Sequence, residues 1–139
     1  MKKRYLIIED DALSRKILED FLSEYADCDT ADNGLTGFKM FEQAILAGRP
    51  YDLICTDIIM PTMDGHDLIR KIRACEQSLP IQDCIRTTIF VISVSNSTKD
   101  MEQALLDCDG DDYIVKPFKR DLLAGMLEKY HLIDDINLP

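Results

Sequence analysis

The sequence predicts an α/β fold: one parallel sheet with helices on both faces. Two observations predict it. Five short apolar runs, rich in β-branched residues, recur along the chain, and each is the right length for a strand buried on both sides. Segments with apolar residues at helical spacing lie between them, and this strict alternation is the signature of parallel β-α units.

Tyr5 to Ile8 is the first strand. Ala12 to Tyr25 follows as a helix, with Leu13, Ile17, Leu18, Phe21 and Leu22 on one stripe. Cys28 to Ala31 is a weaker strand. Asn33-Gly34 turns the chain into a helix carrying Leu35, Phe38, Phe41 and Ile45, which Gly48-Arg49-Pro50 ends. Leu53 to Thr56 is the third strand. Met63-Asp64-Gly65 is a turn, and Asp64 caps a helix through Leu68, Ile69 and Ile72. Cys75 to Arg86, containing Pro80, reads as a loop. Ile89 to Val94 is the fourth strand, and Met101, Ala104, Leu105 and Cys108 mark the fourth helix. Tyr113 to Val115 is the fifth strand. Leu122, Leu123, Met126, Leu127 and Tyr130 mark the last helix, before a tail from 131 to 139.

The bulk numbers suit one soluble domain. A chain of 139 residues, 46% hydrophobic and 30% charged, can bury a real core. Its net charge of -10 disfavours direct binding to nucleic acid. Lys2-Lys3-Arg4 reads as a solvated lead-in to the first strand. No apolar stretch reaches the roughly 20 residues of a membrane span, so no membrane insertion is expected. The N-terminus has no signal-peptide pattern. Five cysteines without C-x-x-C spacing suggest reduced thiols and a cytoplasmic location. Two scattered histidines do not make a zinc site.

In open parallel sheets, ligands bind outside the carboxyl ends of the strands. Glu9, Asp10 and Asp11 follow the first strand, and Asp57 follows the third. Ser93, Val94 and Ser95 close the fourth; Lys116 and Pro117 close the fifth. Singly these are ordinary: an acidic run before a helix suits the helix dipole, and Lys-Pro often marks a turn. Together they gather negative charge in one cleft. Two carboxylates about 4 Å apart repel by about 4 kcal/mol at an effective dielectric of 20. One Lys116 ammonium leaves charge over, and a hard divalent ion with oxygen ligands, Mg²⁺ or Mn²⁺, is the natural remainder. An ionised Asp57 beside such an ion is suited to attack phosphorus as a carboxylate nucleophile.

The segments "YLIIEDD", "DLICTDIIMPTMDG", "TIFVIS" and "DDYIVKPF" resemble the receiver domain of two-component response regulators, over about residues 3 to 130. The resemblance implies a flavodoxin-like (βα)5 fold, strand order 2-1-3-4-5. It implies that Asp57 accepts a phosphoryl group from a sensor histidine kinase or histidine phosphotransfer protein. By position, Asp10 ligates the metal directly, Glu9 does so through water, and the backbone carbonyl of Ile59 completes the protein ligands. Lys116 holds a phosphoryl oxygen, and a cis Lys116-Pro117 bond aims its amine into the cleft. Ser93 and Tyr113 form the switch, which reshapes the helix 4, strand 5 and helix 5 face for a downstream protein. Asp11 reads as an extra acid that caps the first helix.

Two departures from the family pattern stand out. Four apolar residues after Thr88 point to Ser93 as the switch hydroxyl, yet counting back from Lys116 lands on Val94. A one-residue insertion in the following loop reconciles the two; Ser95 would need a deletion. Val94 also stands where a small residue is common. Ile59, two positions after Asp57, is apolar and should do little to orient water, which favours a long-lived acyl phosphate. A pseudo-receiver acting purely as an interaction module usually lacks an acid or the Lys, and this chain has both. An aspartyl phosphatase would carry Asp at position 59. A flavin module needs a phosphate-cradling loop after the first strand, where this chain is acidic.

Overall fold

The computed structural model describes residues 2–80 and 86–133. Within them the chain alternates β1 (Arg4–Ile8), α1 (Ala12–Leu22), β2 (Asp27–Ala31), α2 (Gly34–Leu46), β3 (Leu53–Thr56), α3 (Gly65–Gln77), β4 (Thr88–Ser93), α4 (Thr98–Glu102), β5 (Asp112–Val115) and α5 (Arg120–Lys129). A π-helical turn, Gln103–Asp107, continues α4. The strands form one parallel sheet in the order β2-β1-β3-β4-β5, as expected.

Strand alternation divides the core in two. Leu6, Ile8, Ile54, Ile89 and Val91 point to one face, where α2, α3 and the π turn supply Phe41, Leu68, Ile69, Ile72, Ala104 and Cys108. Tyr5, Ile7, Leu53, Cys55, Phe90 and Ile92 point to the other, packing on Leu18, Phe21 and Leu22 of α1 and Leu123, Met126 and Leu127 of α5. Both faces of the central strands are therefore dry, which is why those strands read as unbroken apolar runs. Burial of the free thiols pushes them up, Cys28 to about 11, so they stay protonated near neutral pH.

Several expectations need correction. Helix α1 stops at Leu22, and Leu13 and Ile17 of its expected stripe lie on the surface. Leu35 and Leu122 are likewise exposed. Strand β4 ends at Ser93, leaving Val94 outside the sheet. The loop expected from Cys75 to Arg86 begins as helix through Gln77; its residues 81–85 lie outside those described.

The helical extension has a reason. Arg73 and Glu76 continue the buried stripe of Ile69 and Ile72, and each is about 95% buried. The Arg73 guanidinium binds the Glu76 carboxylate at 2.8 Å, the Asp111 carboxylate at 2.8 Å, the Thr87 carbonyl at 2.7 Å and the Asp109 carbonyl at 2.9 Å. Glu76 in turn accepts from the Thr87 amide at 2.6 Å, and Asp111 accepts from the Ile89 amide at 2.8 Å. Buried charges are tolerable only when paired and hydrogen-bonded, and these are. The network ties the end of α3 to the starts of β4 and β5, at the edge opposite the strand carboxyl ends.

Candidate functional site

Register assembles the site. Ile8 of β1 lies level with Thr56 of β3, so the next residues, Glu9 and Asp57, leave neighbouring strands side by side. Ser93 of β4 lies level with Val115 of β5, so Lys116 emerges next to it and its amide donates to the Ser93 carbonyl at 2.7 Å. The Lys116-Pro117 bond is cis, as the resemblance implies. The Lys116 ammonium donates to Glu9 Oε2 at 2.8 Å and to Asp57 Oδ2 at 3.0 Å. Asp57 Oδ1 accepts from the amides of Ile58 at 2.6 Å and Ile59 at 3.2 Å. One carboxylate oxygen is thus held by backbone, and the other faces the ammonium.

Close packing behind Asp57 is set by Gly65. A Cβ there would lie 2.2 Å from the Asp57 carbonyl oxygen, so only glycine lets the start of α3 approach this strand end. Asp64 caps that helix through the Asp67 amide at 2.9 Å. On the other side, the Arg15 guanidinium donates to the Glu9 carbonyl at 2.8 Å and steadies the acidic turn. Asp11 accepts from the Ser14 amide at 2.8 Å and caps α1, the role its sequence suggests.

Burial and charge shift the ionisable groups in opposing ways. Glu9 is 3% exposed, and burial pushes its pKa above the ordinary carboxylate value despite the bond and charge of Lys116. Burial pulls Lys116 down, but its bonds to Glu9 and Asp57 and their charges outweigh this, so its pKa is raised. The sign for Glu9 follows from linkage. A folded carboxyl with a raised pKa binds more protons than the unfolded one, so its contribution is full below the ordinary value of about 4.5 and is lost as pH rises through the folded pKa. Glu9→Gln is therefore expected to raise the thermal midpoint at pH 7 without added metal, with the gain shrinking toward pH 4. Scanning calorimetry across that range checks it; a midpoint below that of the natural chain at pH 7 would contradict it.

The expected residues are brought together unequally. Glu9, Asp57 and Lys116 are in direct contact. Asp10, the residue after Glu9, is exposed. Among the described residues no group of three or more His, Cys, Asp or Glu is pre-assembled around a metal position. The donor types still suit a hard divalent cation: two adjacent carboxylates that share one ammonium, a third acid one residue away, and backbone carbonyls. Ser93 is fully buried at the end of β4, and its hydroxyl accepts from the Ser95 amide at 3.3 Å. Ser95 points its own hydroxyl away, to Asp100 at 2.6 Å. Tyr113 is half-buried, and its hydroxyl donates to the Ser95 carbonyl at 2.9 Å.

Beside Lys116 a groove of about 540 Å³ runs between α1 and the start of α5, lined by Ile17, Phe21, Val94, Pro117, Phe118 and Arg120. Ile17 and Val94, which line it, are more than half exposed, as is Ile59, two residues after Asp57.

Residues 5–128 match the family model of the response regulator receiver domain. The two-component response regulator ORR41 of Oryza sativa subsp. japonica is 29% identical over 129 residues, covering 93% of this chain and 94% of that protein. The probable C4-dicarboxylate response regulator DctR of Bacillus subtilis is 32% identical over 130 residues, 91% of this chain but 51% of its own length. The chain therefore spans about half the length of that relative. Among solved structures, the chemotaxis protein CheY4 of Vibrio cholerae superposes with a TM-score of 0.78 at 19% identity, covering 94% of this chain and 99% of that one, and speaks for the fold. The match over residues 5–128 includes every strand end of the site, and by it this chain belongs to the response regulator receiver domain family.

Proposed function

We propose that the chain is a phosphoacceptor module in which Asp57 takes a phosphoryl group from the phosphohistidine of a sensor kinase or phosphotransfer protein. The observation that carries this reading is the Lys116 ammonium, which bonds both Glu9 and Asp57 across sequence separations of 107 and 59 residues. In the transfer, an Asp57 carboxylate oxygen forms the bond to phosphorus. The phosphorus–nitrogen bond of the donor breaks, and its electron pair returns to the imidazole. Backbone bonds at Oδ1 leave Oδ2 for the attack once Lys116 turns its donors to a phosphoryl oxygen. Ser93 donates its hydroxyl to another such oxygen.

Glu9, Asp10, Asp57 and the Ile59 carbonyl would hold Mg²⁺ or Mn²⁺. The bound cation supplies positive charge against the phosphoryl oxygens as their charge shifts. The apolar groove beside Lys116 offers the donor protein a surface on which to approach. When Ser93 turns toward the phosphoryl group it leaves the Ser95 amide, and the face of α4, β5 and α5 changes for a downstream protein.

The test is uptake of beryllofluoride with Mg²⁺. The expected result is a Mg²⁺-dependent rise in thermal midpoint, equivalent to about 2.7 kcal/mol at a hundredfold excess over Kd. A pseudo-receiver serving only as an interaction module predicts no shift. The exposed Ile59 side chain carries a second prediction. It has no polar atom to align water on the acyl phosphate, so Ile59→Asn should shorten the phosphoryl lifetime by roughly 10-fold, less than the 100-fold or more that a positioned general base supplies. Timing phosphate release checks it, and an unchanged lifetime would count against that role.

A further inference from the structure

The residue before Asp57 is a hydroxyl whose neighbours in the sheet are apolar. Thr56 stands level with Ile8 of β1 and with Val91 of β4, and all three are fully buried. Ile54, two residues back on the same strand, is buried as well. A buried hydroxyl without a partner costs about 1–3 kcal/mol, so a threonine at this place needs a bond. The bond it makes is to the adjoining backbone: Thr56 Oγ1 donates to the Asp57 carbonyl at 2.9 Å.

That carbonyl oxygen also packs against Gly65, where a Cβ would stand 2.2 Å from it. Its direction is set by a hydrogen bond and by close contact together. The peptide group is planar, so the Asp57 carbonyl and the Ile58 amide turn as one unit. The Ile58 amide is the donor that holds Asp57 Oδ1, at 2.6 Å, and the Ile59 amide adds a second bond at 3.2 Å. Holding Oδ1 fixes the rotation of the carboxylate, and with it the place of Oδ2, which faces Lys116 at 3.0 Å.

We infer that Thr56 is a positioning residue for the phosphoryl acceptor. Its hydroxyl orients the 57–58 peptide, so that the Ile58 amide locks one carboxylate oxygen and leaves the other aimed at the incoming phosphorus. The inference deepens the phosphoacceptor reading and rests on it for the reaction; the orientation itself exists in the unphosphorylated chain. Thr56→Val keeps the β-branched shape but puts a methyl against an oxygen now 2.9 Å away, closer than ordinary van der Waals contact, so the peptide must tilt. Thr56→Ser keeps the donor.

Two measurements on the full chain test it. In NMR spectra of the unphosphorylated chain, the Ile58 amide proton, deshielded by its short bond to a carboxylate, should move upfield in Thr56→Val and stay in place in Thr56→Ser. With acetyl phosphate and Mg²⁺, the maximal labelling rate of Thr56→Val should fall about 10-fold, less than the 100-fold that a 1 Å misplacement can cost, with the half-saturating acetyl phosphate concentration unchanged. Thr56→Ser should label near the natural rate. An unmoved Ile58 amide or a natural rate in Thr56→Val overturns the proposal. So does a loss shared equally by Thr56→Ser, which would assign the effect to the missing methyl, or a loss confined to the half-saturating concentration. If Thr56→Val does not fold, Thr56→Ala takes its place; failure of both to fold makes Thr56 a structural residue and overturns the proposal as well. If the natural chain takes no label, the phosphoacceptor reading fails, and the Ile58 amide still decides whether the hydroxyl sets the carboxylate.

Discussion

Asp57→Asn is expected to keep its fold and to accept no phosphoryl group. The amide oxygen can still accept from the backbone of Ile58 and Ile59, so the turn after β3 has no reason to open. Lys116 keeps Glu9 as a charged partner at 2.8 Å. What disappears is the nucleophile, because a neutral amide does not form the acyl phosphate that a carboxylate does. Labelling by acetyl phosphate with Mg²⁺ should fall by more than about 100-fold, the loss typical of removing a group that acts only in the reaction. Circular dichroism and labelling, measured together, check both halves. Labelling at the natural level would move the acceptor elsewhere.

Arg73→Met is expected to cause the largest loss of stability. The guanidinium makes four bonds in a site closed to water, and its removal leaves the Glu76 carboxylate buried without its cation. Breaking a buried ion pair from one side typically costs about 3–5 kcal/mol. For a domain of this length that lowers the thermal midpoint by on the order of 10 °C. Arg73→Met with Glu76→Gln should recover part of the loss, since the uncompensated charge is then gone. A denaturant series on the three chains measures this. A single variant within about 0.5 kcal/mol of the natural chain, the range of neutral surface changes, would show that the network holds little. Arg86 is half exposed and joins Asp111 from outside at 2.8 Å, so its removal should cost far less.

That network shows where sequence reading reaches its limit. The five-fold alternation, the strand ends and the contact residues were legible because strand and helix periods are local and because parallel topology sends every strand end to one edge. Asp11 and Asp64 were legible as caps for the same reason. Arg73 and Glu76 were not. Two charges on an apolar stripe look like the end of a helix, and their partners, Thr87, Asp109 and Asp111, lie 11 to 38 residues away. The signal was present, since Ile69, Ile72, Arg73 and Glu76 hold helical spacing; what was missing was the closure of the network in space.

Leu13 and Ile17 illustrate the reverse error. Periodicity places them on the core stripe of α1, but that stripe is wider than the sheet face it covers, and their side chains emerge at its edge. The π-helical turn Gln103–Asp107 that continues α4 has no counterpart in the apolar spacing of Met101, Ala104, Leu105 and Cys108, which reads as plain α-helix. Asp10 completes the picture. It is exposed where its neighbour Glu9 is buried and bonded to Lys116, a difference that two adjacent acids do not signal in sequence.

Mapping the phosphoryl group on the natural chain tests the central claim most directly. The protein is treated with acetyl phosphate, with Mg²⁺ and with Mg²⁺ chelated, then digested and analysed by mass spectrometry. The account predicts one hydroxylamine-labile phosphoryl group on the peptide that contains Asp57, present with the metal and lost on chelation. A label on another residue, or no label with Mg²⁺ present and the chain folded, would contradict it.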